Sequence, residues 1–125
     1  MKVSELMRYN FDQIFIELDP ARREAMMREV YTEDCVWIHP GGRIVGIEAI
    51  NDSVSEIRKR IPEYRYSVVG EIQTMHTVGI CRWGSGLPGE PFVYAGTDVV
   101  EARDGHVAVF YTFIDSGTPP VSTEA

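Results

Sequence analysis

Between residues 64 and 115 the chain is extended in character almost without interruption, and this half limits the fold more than any other feature. Alternation of apolar and polar positions divides it into four strands, over 64–74, 75–84, 92–103 and 106–115. Asp104-Gly105 separates the last two, and this pair supplies the positive φ angles that both central residues of a tight hairpin require. Residues 84–91 (GSGLPGEP) form a longer glycine- and proline-rich loop. Strands that follow one another across such turns build an antiparallel sheet.

The first half reads as helices with one early strand. Met7, Phe11, Ile14, Phe15 and Leu18 recur at helical spacing over 4–18. Asp19-Pro20 ends that helix and starts a second over 20–31, Asp19 suiting the cap and Pro20 the first turn. Its inward positions are expected to be Ala25, Met26 and Val30, with Met27 and Tyr31 as further candidates. Next comes YTEDCVWIHPGGRIVGIEAI, residues 31–50. A short acidic turn (Glu33, Asp34) leads into the apolar run Cys35 to Ile38. That run stops at His39-Pro40-Gly41-Gly42, because proline lacks the amide donor and glycine favours turns. Arg43 to Val45 is a short extended piece. Gly46 then opens a third helix with Ile47, Ile50, Val54, Ile57 and Ile61 on one face, ended by Pro62. Three helices and a long, mainly antiparallel sheet define an α+β domain.

With 125 residues the chain is one domain by size, expected over 1–116 with a loose tail over 117–125. Its 12 Lys and Arg against 19 Asp and Glu give a net charge of −7, and Arg58-Lys59-Arg60, the one basic cluster, reads as a solvated helix face. Nucleic acid is therefore not an expected partner. No apolar run reaches membrane-spanning length and the start lacks a signal-peptide core, so the expected location is the cytoplasm. Cys35 and Cys81 fall in strands and are read as buried free thiols, a disulfide being the alternative. There is no phosphate loop, nucleophile triad or metal-ligand spacing, so the expected chemistry uses no cofactor and no metal.

The stretch Y-x-E-D-x-V-W-x-x-P-G-G-x-x-x-G-x-E-A-I, the hairpin G-T-D-V-V-E-x-x-D-G-H-V and the ending F-I-D carry a resemblance. Together they resemble the SnoaL-like part of the nuclear-transport-factor-2-like superfamily, which also holds ketosteroid isomerases, polyketide cyclases and limonene epoxide hydrolases. The resemblance spans residues 4–115. It implies a curved sheet wrapped on three helices, a cystatin-like α+β barrel with a conical internal pocket. It also implies a homodimer through the exposed sheet face, which Val93, Ala95, Thr97 and Val99 would suit.

Strand parity selects the chemistry-bearing side chains, since residues two apart share a face. Asp98 lies among Tyr94, Gly96, Val100 and Ala102, where an ionised carboxylate is costly unless paired, hydrogen-bonded or neutralised. A buried pair with Arg82 or a hydroxyl would explain it structurally; an acid facing a ligand would explain it functionally. His39 stands where, by resemblance, ketosteroid isomerases place their proton-transfer aspartate, and Asp98 falls near the protonated aspartic acid of their oxyanion hole. Here His-Pro replaces Asp-Pro, and an imidazole is a competent base near neutral pH. The plainer alternative for His39 is a hydrogen bond to turn backbone.

Tyr9 is the candidate hydroxyl on the first helix for that oxyanion hole. Arg82, His76, Trp37, Tyr94 and Tyr111 are the expected substrate contacts. The expected substrate is a small, largely apolar carbonyl compound, undergoing isomerisation, cyclisation or elimination. Ligand carriage without turnover, an interaction module, and epoxide hydrolysis by an Asp-Arg pair are the competing readings.

Overall fold

The computed structural model describes residues 1–120. α1 (Val3–Tyr9) runs into a π-helical turn (Asn10–Ile14), and α2 (Pro20–Val30), β1 (Tyr31–His39), β2 (Gly42–Val45) and α3 (Ile47–Arg60) follow. β3 (Arg65–Met75), β4 (Val78–Gly86), β5 (Tyr94–Arg103) and β6 (His106–Gly117) complete one six-stranded sheet in the order β2-β1-β6-β5-β4-β3. All neighbours are antiparallel except β1 and β6. The architecture is therefore α+β, with three helices on one face of a curved mixed sheet. Residues 121–125 of the expected tail lie outside the described residues, and Gly117 still pairs with Tyr94. Among the described residues no helix is long and apolar enough to cross a membrane.

The local signals act as elementary chemistry dictates. Asp19 caps α2, its Oδ1 accepting from the Ala21 amide at 3.1 Å, and Pro20 takes the first turn. Asp104 and Gly105 have φ of 53° and 77°, the hairpin geometry expected of that pair. Ile47, Ile50, Val54 and Ile57 bury one face of α3. Cys35 and Cys81 are free and buried, and burial pushes both thiols up to about 12.

Three local expectations are corrected. The first helix changes to a π-turn at Asn10, the Phe15 amide reaching back to the Asn10 carbonyl at 2.9 Å, and Leu18 beyond it is 56% exposed. Ala25 is exposed and Arg23 takes the inward place, fully buried between α2 and α3. Its guanidinium donates to the Glu17 carbonyl at 2.6 Å, Asn51 Oδ1 at 2.9 Å and Ser55 Oγ at 2.7 Å. Those acceptors hide the charge from a hydrophobicity pattern. Finally, Glu33 and Asp34 lie within β1, exposed at a register irregularity between Tyr31 and Val36.

The core is aromatic where the sheet meets α1 and α2. Trp37 stacks on Phe110 at 5.4 Å, and Phe15 meets Trp37 edge-on, also at 5.4 Å. On β5, Gly96 makes room for the Trp83 ring and for the backbone of β6. A Cβ there would stand 2.2 Å from the Phe113 carbonyl oxygen and 2.5 Å from Trp83 Cζ2. Gly96→Ala should therefore destabilise the fold by about 1–3 kcal/mol in urea unfolding, because the backbone oxygen cannot move aside cheaply. An unchanged midpoint would show that the sheet yields there.

Candidate functional site

A cleft opens between the sheet and the helices, with about 510 Å3 of empty space including its mouth. Its walls are Phe11 and Phe15 from the π-turn region, Trp37, Tyr66, Trp83 and Tyr94 from the sheet, and Ile57 from α3. Pro119 and Pro120, just past β6, also line it. His39, Asp98 and Thr112 bring polar atoms to this aromatic surface. Such a lining, apolar with few convergent polar groups, is the usual make-up of a small-molecule site.

Asp98 reaches the cleft because β5 alternates strictly, burying Tyr94, Gly96, Asp98, Val100 and Ala102. Trp83 Nε1 donates to its Oδ1 at 2.9 Å. Burial pushes the carboxyl up to about 7, while hydrogen bonds from Thr112 and Trp83 pull the other way. Desolvation wins because the two donors replace only part of the lost water. The carboxyl therefore changes charge near neutral pH.

His39 ends β1, its ring 4.4 Å from that of Trp37. The Gly41 amide donates to Nδ1 at 3.0 Å, the backbone hydrogen bond that the Pro-Gly-Gly corner allows. Burial lowers the imidazole pKa below its ordinary value. A ring nitrogen that accepts from an amide carries no proton, so the neutral ring holds its proton on Nε2. His39 thus presents a hydrogen-bond donor, with its basic lone pair already engaged. Trp37 Nε1 donates to Thr112 Oγ1 at 2.9 Å, and Thr112 is the register partner of Asp98. The two ends of the site are tied through these side chains.

Of the remaining candidates, Trp37 and Tyr94 are in the wall as expected. Tyr9 does not line the cleft: it ends α1, where burial and Glu29 raise its pKa. The tyrosines that do line it are Tyr66 and Tyr94, their hydroxyls hydrogen-bonded to each other. Arg82 is exposed, because β4 turns Gly79, Cys81 and Trp83 inward. It faces Thr97 across the sheet, so no Asp-Arg pair forms. His76 sits exposed in the β3–β4 turn with φ of 53°. Tyr111 lies on the outer face, 36% exposed. Tyr66 and Trp83, which the sequence offers as aromatic wall or ordinary core, are in the wall, while Phe11, Phe15 and Thr112 are site residues that the sequence places in the core or leaves unassigned. Among the described residues no cluster of three or more His, Cys, Asp or Glu side chains is placed to hold a metal ion.

No curated protein matches the chain in sequence. Solved structures do. A protein designated an isomerase of the SnoaL-like family from Agrobacterium tumefaciens is 21% identical with a TM-score of 0.83, over 93% of this chain and all 100% of that one. A SnoaL-like polyketide cyclase, so designated, from Jannaschia is 16% identical with a TM-score of 0.74, over 90% of this chain and 85% of that one. A protein designated a ketosteroid isomerase from Kribbella flavida is 18% identical with a TM-score of 0.69, over 96% and 82%. At these identities the likeness shows the fold. The profile of the SnoaL-like domain matches residues 15–110, most of the chain. The protein belongs to the SnoaL-like domain family.

Proposed function

We propose that the cleft binds a small, largely apolar carbonyl compound and moves a proton at the carbon beside its carbonyl. The observation that carries this reading is Asp98, a buried carboxyl with a pKa of about 7 inside an aromatic cavity. Ionised, it accepts the proton; protonated, it returns it at another position. The neutral His39, with its proton on Nε2, is set to donate to the carbonyl oxygen as enolate charge develops. This reverses the roles expected from sequence, because the Gly41 amide occupies the imidazole lone pair. Isomerisation, cyclisation and elimination all begin with this step, and the residues named supply it without a cofactor. The names of the similar structures, isomerase and cyclase, agree with that class.

The test is deuterium uptake. The protein is incubated in D2O with a panel of small cyclic and aromatic ketones, and each compound is weighed by mass spectrometry. Protein-dependent labelling beside a carbonyl is the expected result. Ketones that bind without labelling would favour ligand carriage instead.

We further propose that two copies pair through the outer sheet face and that the protein works in the cytoplasm, where its two buried free thiols suit a reducing milieu. Ile80, Val99 and Tyr111 form one cross-strand row on that face, and Thr97 and Phe113 the next. Ile80 and Phe113 are 41% and 57% exposed. Phe113→Glu should convert a dimer to a monomer in sedimentation, since two charges would face each other across the contact. A wild-type protein that sediments as a monomer would remove the dimer from the account.

A further inference from the structure

Behind the Tyr66 wall of the cleft, outside its lining, lies a polar group that the proton-transfer reading does not use. Arg58, in the last turn of α3, is only 3% exposed. Its Nη1 donates to the Tyr64 carbonyl at 3.0 Å, while Nε and Nη2 have no hydrogen-bond partner among the described residues. The guanidinium carbon stands 5.6 Å from the centre of the Tyr66 ring. Tyr66 and Tyr94 line the cleft with their hydroxyls bonded together. Ser85 Oγ, buried beside them on β4, makes no hydrogen bond of good geometry among the described residues, though it lies close enough to lower the pKa of both phenols. The positive charge of Arg58 acts on both phenols in the direction of ionisation, though burial holds both neutral.

A buried cation without a counter-charge is an expensive arrangement. The exposed surface needs no such residue, and Arg58 makes no ion pair among the described residues. The neighbouring Arg23 adds a second buried cation, whose pKa is lowered by burial and by the charge of Arg58. An anionic oxygen at the tyrosine pair would offset this cost. The pair holds two hydroxyl protons and uses one between its own oxygens, which leaves one for Ser85 Oγ or for a ligand oxygen.

We infer that the Tyr66–Tyr94 end of the cleft, with Arg58 behind it, is a subsite for a negatively charged oxygen group, a carboxylate or an ionised phenol or enol, on the substrate. The tyrosines make the contact, and Arg58 is a positioning and charge-supplying residue behind them. The substrate class narrows accordingly to a carbonyl compound with an apolar body and one acidic oxygen group. This rests on the cleft being a ligand site, but not on proton transfer by Asp98.

Benzoate and benzamide, nearly equal in shape and differing in charge, test it by calorimetric titration of the full chain at pH 6. Benzoate should bind at least about tenfold more tightly than benzamide, a difference typical of one charge-assisted hydrogen bond. Arg58→Gln and Tyr66→Phe should each abolish that preference, so that the two probes bind alike. Tyr66→Phe, which removes one oxygen from a ring that stays packed, keeps the test decisive should Arg58→Gln fail to fold. Equal affinity for the two probes, absence of benzoate binding at millimolar concentration, or a preference that survives in either folded variant would overturn the subsite. A ketone panel that shows no deuterium uptake leaves this outcome untouched, so the two readings fail separately.

Discussion

Asp98→Asn should remove most of the protein-dependent deuterium uptake and, at pH 8, should make the protein more stable. The two effects share one cause. The carboxyl is raised from 3.8 to about 7 by burial, so the folded protein disfavours its ionised form. Between about pH 4 and pH 7 the native state keeps a proton that the unfolded chain has lost, and stability falls with rising pH across that window. Above it the penalty is complete, up to about 4 kcal/mol for a difference of this size. An amide carries no such penalty. It keeps the acceptor oxygen for Trp83, and Thr112, which donates to the carboxylate, can turn its hydroxyl to accept from the amide N–H. The stability gap between variant and wild type should therefore open as pH rises from 4 to 7 and stay constant above. Urea unfolding at pH 4.5 and pH 8 measures it. The same substitution removes the proton acceptor, which should lower uptake by about 10²–10⁴. A gap independent of pH would mean that Asp98 is ionised normally, and the proton-transfer reading would lose its basis.

His39→Phe should lower uptake by about 10²–10³ with little change in melting temperature. Phenylalanine keeps an aromatic ring against Trp37, 4.4 Å away in the native stack, but offers no N–H to a developing enolate. The size of the effect is that of one oxyanion donor lost from a water-poor site. The amide of Gly41 loses its Nδ1 acceptor, a half-buried group near the cleft mouth that water can satisfy at small cost. Michaelis parameters locate the loss. A fall in kcat with KM unchanged is expected, because the hydrogen bond strengthens only in the transition state. A rise in KM alone would make His39 a binding residue.

The fold was legible where a local signal had one solution. Asp19-Pro20, the corner after His39, and Asp104-Gly105 each prescribe a backbone conformation, and each is found in place. The inward face of β5, and with it the burial of Asp98, followed from alternation alone. Legibility failed where the backbone departs from regular periods. Counting back from the Asp104-Gly105 turn pairs Asp98 with Tyr111, which would put that tyrosine in the cleft. The register shift between Glu101 and Ala102 moves the pairing by one residue, turning Tyr111 outward and bringing Thr112 opposite Asp98. The π-turn at Asn10 similarly ends the helix before Leu18. Arg23 and Arg58 are invisible to patterning because a charged residue at a helical core position reads as surface, and the side-chain acceptors of Arg23 lie in a distant segment. The tautomer of His39 was likewise out of reach, since it depends on one amide pointing at one nitrogen.

The most direct test of the account is the pH dependence of deuterium uptake by wild-type protein, with a ketone that it labels. With Asp98 as base and neutral His39 as donor, uptake should rise through a midpoint near pH 7, the value set by Asp98, and stay level above it. A bell-shaped profile, falling again above pH 7, would contradict that assignment. It would mean that uptake needs a protonated Asp98, and that His39 is the base after all.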